Sequence, residues 1–420
     1  MGAVLAVVFL GLLALSVPVA HALVIASGAA LAWDGTLPLL LVVQQMFAQS
    51  QSFPLLALPF FILAGNLMMS GRLGEALIGF ATALVGRYRG GLASTTVVGS
   101  VVFGGVSGSA VSDASALGSV LIPWQKREGY PAAFAAANNA AAATIAILIP
   151  PSIPMILYAL VSNASVGALF LAGVLPGFML AAGFALVCNL SARLRGFPLV
   201  RDAPGRRELL RLAWAAAPAL LMPVLVLVVL RFGIATPTEV SVMAVLYALA
   251  AGALVYRDLS PSRVWSALVG AGSATGVVML VIMASAAVGW IMTFVQAPQA
   301  FAAWATATLR EPWAILLAMN GIMLAAGMFI DLPAAILLLG PIFVPLAQSI
   351  GLDLVQLGVV MVLNLAIGLY TPPVGTTLFI SSTIARCSMV ATVRELWPFW
   401  LVGLTVLLLF SYVPALTIHL

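Results

Sequence analysis

Long apolar runs separated by short polar or proline-glycine breaks set the pattern of this chain. Apolar stretches lie near residues 2–17, 19–33, 53–70, 131–163, 166–192, 212–231, 237–256, 267–295, 355–385 and 396–417. A helix of about 20 apolar residues crosses a bilayer, so the pattern predicts an all-α polytopic membrane protein. Two further apolar stretches, 90–125 and 312–349, are broken in the middle by small or acidic residues. The first break reads Gly104-Gly-Val-Ser-Gly-Ser-Ala-Val-Ser-Asp113, and the second reads Gly327-Met-Phe-Ile-Asp-Leu-Pro333. Each is either two full spans or one re-entrant hairpin that turns inside the membrane. No polar stretch is long enough to form a soluble domain.

Composition agrees with that pattern and narrows the partners. Of the 420 residues, 63% are hydrophobic and 7% charged, with a mean hydropathy of +1.19. Soluble domains run near 45–50% apolar and about 25% charged, and a charge at the centre of a spanning helix costs roughly 2.5–3.5 kcal/mol. The net charge of +5 comes from 17 Lys and Arg gathered in a few loops. That is the bias of cytoplasmic loops and not the basic face of a nucleic-acid-binding module. Cys188 and Cys387 sit alone in apolar runs and read as inert buried thiols. Residues 1–20 lack a basic leader, so the first apolar run is read as a retained helix although Ala20-His21-Ala22 mimics a cleavage site. His21 and His419 are isolated. Trp33, Trp265, Trp290, Trp397 and Trp400 fall near predicted span ends, where indole rings anchor at the interface.

Charge placement decides between the two readings of the broken stretches. Arg193, Arg195, Arg201, Arg206, Arg207 and Arg211 make the 193–211 linker cytoplasmic. Arg257 and Arg263 follow two spans later and mark the same side. The base of the first broken stretch carries Arg72, Arg87, Arg89, Lys126 and Arg127, whereas the base of the second carries Arg310 beside Glu311 and Asp353. Arg386 and Arg394 fall inside again. Two hairpins, one entering from each side, satisfy every cluster and place both termini in the periplasm of a bacterial inner membrane.

The halves share a spacing. Pro123, Gly129 and Pro150-Pro151 recur as Pro345, Gly351 and Pro372-Pro373, each 222 residues on. A lone aspartate, Asp113 or Asp331, stands upstream of each proline, with the register slipping by four. The expected division is a first repeat over 1–192 (hairpin 90–125, broken helix 131–163), the basic linker over 193–211, and a second repeat over 212–420 (hairpin 312–349, broken helix 355–385). Five crossings per repeat invert the second copy, and inverted repeats with broken helices build alternating-access transporters with a midplane site.

Candidate chemistry gathers at the breaks. A Pro-Pro pair withholds N–H groups and unwinds its helix, and the carbonyls so freed must be satisfied inside the membrane, which a bound cation can do. Ser152 flanks one break; Gly368, Thr371, Gly375, Thr376 and Thr377 flank the other. A plain kink satisfied by neighbouring helices is the simpler alternative. At the first hairpin tip, Ser107, Ser109 and Ser112 offer hydroxyls beside half-helix N-termini that favour an anion, while Gly104 and Gly108 also suit close helix packing. Asp113 and Asp331 are candidate functional carboxylates at membrane depth, or caps of half-helices. Asn66, Asn138, Asn139 and Asn364 read as interhelical hydrogen bonders. The only lysine is Lys126, and there is no Gly-x-x-x-x-Gly-Lys-Ser/Thr loop, no His-Glu-x-x-His and no Gly-x-Ser-x-Gly. The expectation is a transporter, not an enzyme, driven by an ion gradient or a partner.

The segments Leu58-Pro-Phe-Phe-Ile-Leu-Ala-Gly-Asn66, Ser107-Gly-Ser-Ala-Val-Ser-Asp-Ala-Ser115, Ile149-Pro-Pro-Ser-Ile-Pro154 and Tyr370-Thr-Pro-Pro-Val-Gly375 resemble the large, DctM-like membrane subunit of tripartite ATP-independent periplasmic (TRAP) transporters. The resemblance covers essentially the whole chain. It implies an elevator-type architecture and coupling to Na⁺. It also implies a small four-helix membrane partner (the Q subunit) and a periplasmic substrate-binding protein (the P subunit) that delivers a small carboxylate. Carried over, the first Na⁺ site uses Ser107 and Ser109 with carbonyls at Ala146 and Ile149. The second uses Gly327, Gly368, Thr371 and Val374 with Asp331 close by. Where the family commonly has glycine this chain has Ala146, which keeps the carbonyl ligand but frees the backbone less. Substrate contacts are expected from Ser107, Ser109, Ser112, Asp113, Ser152, Thr376 and Thr377. The alternative is a self-sufficient Na⁺/organic-anion symporter of related architecture that needs no binding protein.

The topology is directly testable. With Cys188 and Cys387 replaced by serine, Pro204→Cys is expected to react with an impermeant maleimide only from the cytoplasm, and Leu352→Cys only from the periplasm. Labelling of both from one side refutes the inversion.

Overall fold

In the computed structural model the backbone is described over residues 1–69, 72–198 and 206–418, and the side chains of Arg72, Leu73, Glu75, Arg206 and Ile418 fall outside that description. The middle of the basic linker, with Arg201 and Pro204, and His419 therefore lie outside the described residues. Every regular element among those described is helical.

The chain opens with α1 (Gly2–Ala14), α2 (Val19–Asp34) and α3 (Leu40–Ser50), followed by a short 3-10 turn and α4 (Ala57–Met69). The α3–α4 pair is one bent unit, turning by 62° at its break. A short helix, α5 (Arg72–Val85), leads into the first hairpin, α6 (Gly91–Ser107) and α7 (Ala110–Arg127). The first broken helix is α8 (Ala132–Ala142), continued by a 3-10 stretch to Ile147, and α9 (Ile153–Ser162). Four long helices follow: α10 (Val166–Arg195), α11 (Arg206–Arg231), α12 (Pro237–Ala250) and α13 (Pro261–Phe294). The second half closes with α14 (Ala297–Leu309), the second hairpin α15 (Pro312–Gly327) and α16 (Leu332–Ser349), the broken helix α17 (Leu354–Gly368) and α18 (Thr376–Ala385), α19 (Met389–Tyr412) and α20 (Ala415–Ile418). At 34 residues, α13 runs to about 50 Å, longer than the roughly 30 Å of hydrocarbon it crosses, so it tilts.

The broken stretches are hairpins. Each tip packs on the interruption of a broken helix, which sits in the middle of that helix and not at its end. Gly108 turns the first tip at φ +58°, and a Cβ there would lie 2.4 Å from the Pro151 carbonyl oxygen. Only glycine tolerates both that angle and that approach. Ser109 caps α7 by accepting from the Ser112 N–H at 3.4 Å. On the opposite side of the tip, a Cβ on Gly104 would lie 2.5 Å from Ala146 Cα. In the second hairpin the end of α15 meets the last turn of α17, where a Cβ on Gly368 would lie 2.4 Å from the Gly327 carbonyl carbon.

Polar cross-links divide the helices into two groups. In the first, Asn139 Nδ2 donates to Ala114 O and Ser381 Oγ (3.0 and 2.9 Å) and so ties α7, α8 and α18 together. Asn138 reaches Ala93 O at 2.9 Å, and Asn364 reaches both oxygens of Asn320, at 3.0 and 2.9 Å. Lys126 Nζ donates to Ala385 O at 2.7 Å, and Arg195 pairs with Glu395 through both guanidinium nitrogens. In the second group, Tyr247 and Tyr256 of the α12 region donate to carbonyls of Pro218 and Ala215 on α11, and Asn66 of α4 donates weakly to Ala267 O on α13 at 3.4 Å. Hairpins, broken helices, α10 and α19 form one core; α1–α4 and α11–α13 form a scaffold. Among the described residues no side-chain hydrogen bond joins core to scaffold. Contact there is close and largely through glycine, proline and apolar side chains, as where Gly65 approaches the Val106 carbonyl and Gly105 meets Pro223.

Three helices lie where no span is expected from the sequence, namely α3, α5 and α14, and the predicted span at 53–70 is only the second limb of the bent α3–α4 unit. The aspartate register also needs correction. Helix α7 covers Ala110–Arg127 and α16 covers Leu332–Ser349, an offset of 222 at both ends. On that offset Asp331 corresponds to Ser109, both being N-cap residues, and not to Asp113; there is no slip of four.

The tight approach at Gly368 carries a prediction. Gly368→Ala pushes a methyl into the Gly327 backbone, which has no side chain to yield, and is expected to cost about 1–3 kcal/mol. Gly272→Ala, whose Cβ meets nothing within 4 Å, is the control. Thermal unfolding of the purified proteins, read by scattering or fluorescence, should show a drop for the first and none for the second.

Candidate functional site

Across the two breaks, some backbone oxygens are left without their helical partners. In a continuous helix the carbonyl of residue i accepts from the N–H of residue i+4. Pro150 and Pro151 therefore deprive Ala146 and Ile147; Pro372 and Pro373 deprive Gly368 and Leu369. Both Pro-Pro bonds are cis. Ile147 O is rescued by the Ser152 hydroxyl at 2.5 Å, and Leu369 O by the Thr377 hydroxyl and N–H at 2.9 and 3.0 Å. Gly368 O accepts from Thr371 N–H at 3.0 Å. Ala146 O has no such rescue, because the Ile149 N–H donates to Ile145 O at 3.3 Å. At the second tip, the Phe329 and Ile330 N–H groups both go to Ala326 O (3.0 and 2.9 Å), which leaves the Gly327 carbonyl without an amide.

The first hairpin tip supplies side-chain oxygens beside these carbonyls. The Ser107 hydroxyl donates to Asp113 Oδ1, so the lone pairs of its oxygen face outward, one of them receiving the Ser109 N–H at 3.3 Å. Asp113 is fully buried and its Oδ2 has no partner. It thus holds Ser107 in the orientation a cation ligand needs: hydrogen turned in, oxygen turned out. Ser112 is exposed at the tip. Asp331 caps α16 by position but makes no side-chain cap bond, and its side chain is exposed.

Two adjoining cavities of about 330 Å³ each meet at this tip and share Ser109, Ile153, Ala274 and Val278. One is lined by Asn66, Ser107, Ser109 and Ser112 with Gly65 and Gly270. The other is lined largely by matched positions of the two repeats: Ser109 with Asp331, Ala110 with Leu332, Val111 with Pro333, and Ile147 with Leu369. Its opposite wall is scaffold, with Ala274, Val277 and Val278 of α13. The cavity therefore lies between the two tips and between core and scaffold.

The structure brings some predicted residues together and separates others. Ser107, Ser109, Ser112 and Asp331 line the joined cavities. Ala146 packs on the first tip, and Gly327 on Gly368. The Ser152 and Thr377 hydroxyls are committed to backbone carbonyls, and the Thr371 hydroxyl donates to Ile367 O at 2.6 Å. Val374 and Thr376 line a separate apolar cavity of about 500 Å³ with Val111, and Thr376 Oγ1 is buried there without a partner. The α13 wall carried no signal in the sequence, since apolar residues on an apolar helix look alike whichever side they face.

Residues 6–416 match the family described as the tripartite ATP-independent periplasmic transporter, DctM component. The chain is 58% identical to the protein y4mL of Sinorhizobium fredii, over 99% of both chains. It is 39% identical to the C4-dicarboxylate TRAP transporter large permease protein DctM of Pseudomonas aeruginosa, covering 90% of this chain and 88% of that one. In fold it resembles the Alcanivorax borkumensis YdaH transporter, with a TM-score of 0.60 at 16% identity, over 90% of this chain and 86% of that one.

The two breaks are expected to lose stability unequally when their hydroxyls are removed. Ser152→Ala removes the hydroxyl that Ile147 O relies on, and is expected to cost about 1–3 kcal/mol. Thr377→Val leaves the Thr377 N–H on Leu369 O and should cost less. A melting temperature for Ser152→Ala equal to that of the unsubstituted protein would show that the hydroxyl at Ser152 is dispensable.

Proposed function

The chain belongs to the DctM-component family of tripartite ATP-independent periplasmic transporters, and from that premise we propose that it is a Na⁺-coupled, elevator-type large permease subunit. It is a multi-pass membrane transporter subunit for organic acids and not an enzyme. In the proposed cycle a periplasmic binding protein delivers a small carboxylate, and a small four-helix subunit completes the complex in the inner membrane. Both termini face the periplasm. The Pseudomonas relative is named for a C4-dicarboxylate, which belongs to the same broad class of organic acids as the substrate proposed for this chain.

One observation carries the reading: the two hairpin tips face one cavity at the boundary between core and scaffold, with unpaired backbone oxygens directly behind them. A bare carbonyl at membrane depth costs several kcal/mol, and a sodium ion coordinated by oxygen offsets that cost. Ser107, Ser109, Ala146 and Ile149 would hold one ion. Gly327, Gly368, Thr371 and Val374 would hold the other, with Asp331 nearby. These sets fit a cation because they present oxygens only, and because the Ser107 proton is already given to Asp113. The absence of side-chain hydrogen bonds between the described core and scaffold supports movement of one against the other, since sliding breaks no polar contact.

Reconstitution with the two partner subunits tests this. Uptake of the delivered acid should require an inward Na⁺ gradient. Ser107→Ala and Thr371→Val should each raise the Na⁺ concentration for half-maximal uptake severalfold while protein yield is kept. Asp331→Asn should lower uptake steeply and Asp113→Asn only mildly, because asparagine still accepts the Ser107 proton. An unchanged Na⁺ response in both hydroxyl variants rules these side chains out as ligands. Full uptake without the binding protein would favour the self-sufficient symporter.

A further inference from the structure

The two tips that face the shared cavity are equivalent in position but opposite in what they offer an anion. At the first tip the N-cap is Ser109, and the leading residues of α7 are Ala110 and Val111, whose N–H groups have no helical partner. The hydroxyls of Ser109 and Ser112 stand beside them, and Asn66 faces the same space with Nδ2 only weakly engaged. A helix N-terminus with free amides and hydroxyls receives a carboxylate well. At the second tip the matching residues are Asp331, Leu332 and Pro333. Pro333 has no N–H to give, and the Asp331 carboxylate occupies the place of the Ser109 hydroxyl, where it already complements the α16 N-terminus. Sodium bound near Asp331 would neutralise that carboxylate without leaving the net positive charge needed to hold a second one. Between the tips the wall is apolar, formed by Ile147, Leu369, Leu332, Val277 and Val278. None of the described residues lining either cavity is Arg, Lys or His.

We propose that the substrate is a small monocarboxylate with an apolar tail: the carboxylate sits at the Ser109 tip, the tail lies between the hairpins, and a short dicarboxylate is disfavoured by the Asp331–Pro333 tip. This rests on the reading of the cavity as an organic-acid site. It makes the single anion-accepting tip the specificity determinant, and the two substitutions that distinguish the tips its cause.

The test measures thermal stabilisation of the purified permease by carboxylates in NaCl and in choline chloride, a readout that needs no binding protein. The probes are 4-methylpentanoate, phenylacetate, acetate and succinate. The expected result is sodium-dependent stabilisation by the first two at concentrations at least tenfold lower than succinate requires, with acetate weak for want of a tail. Converting the second tip to the residues of the first, Asp331→Ser with Pro333→Val, should narrow that ratio at least fivefold by admitting succinate. Pro333→Val alone restores one amide and should shift it in the same direction if the double variant does not accumulate. Succinate matching or exceeding 4-methylpentanoate on the wild-type protein overturns the proposal, as does an unchanged ratio in folded variants. Absence of any carboxylate response, with or without sodium, overturns the organic-acid reading itself and this inference with it.

Discussion

Inside a bilayer every backbone N–H and C=O has to find a partner within the protein, and the architecture of this chain follows from where that requirement is broken. The helices meet it locally by their own ladders. The Pro-Pro pairs break it twice, at matched positions of the two repeats, and each time the adjacent sequence restores one carbonyl with a hydroxyl: Ser152 to Ile147 in the first half, Thr377 to Leu369 in the second. What remains unpaired is confined to the surfaces where a hairpin tip presses on a break. Oxygen-rich pockets are thereby made from backbone, with few charged side chains that would each be costly to insert.

The repeat is a near-copy in geometry and a divergent one in chemistry. Helix bounds recur at an offset of 222 through the second arm of the hairpin, and glycine turns recur after it at Gly129 and Gly351, both with positive φ. Yet the N-cap is a hydroxyl in one tip and a carboxylate in the other, and the rescue of the freed carbonyl comes from five residues downstream in one half and eight in the other. Shared geometry gives the cavity its near-symmetric walls. Divergent side chains give its two ends different affinities for charge, which a transporter of an asymmetric solute requires and a strictly symmetric site cannot supply.

Punctuation made much of this legible in the sequence. Proline and glycine act on the backbone wherever they fall, so the two hairpins, the two broken helices and the offset between the halves can be read from residue type alone. The asparagines were legible for a similar reason: an amide inside an apolar helix has to pair, and Asn138, Asn139 and Asn364 do so across helices. Helices α3, α5 and α14 were not legible, because each is too short to stand out as a span and carries polar residues such as Gln44, Gln45 and Thr306. The pairing of Asp113 with Asp331 misled because it matched residue type where the fold matches cap position. Asp113 lies one turn into α7 and serves Ser107, a role that no spacing rule distinguishes from a cap.

The distribution of polar contacts argues for how such a molecule moves. Asn139, Lys126 and the Arg195–Glu395 pair join elements of both repeats in one body, Asn364 ties α17 to α15, and breaking the buried bonds of Asn139 or Asn364 would leave polar groups bare. The boundary with the scaffold is built the other way, from Gly65, Gly105, Pro223 and the small and β-branched residues of α13. Dispersion contacts of that kind are individually weak and readily re-formed after displacement, whereas a buried hydrogen bond is not surrendered without a replacement. In the proposed elevator cycle, a cavity on such a boundary, with its anion-accepting tip on the core and its apolar wall on the scaffold, would be carried from one side of the membrane to the other with the ligand still attached to the core.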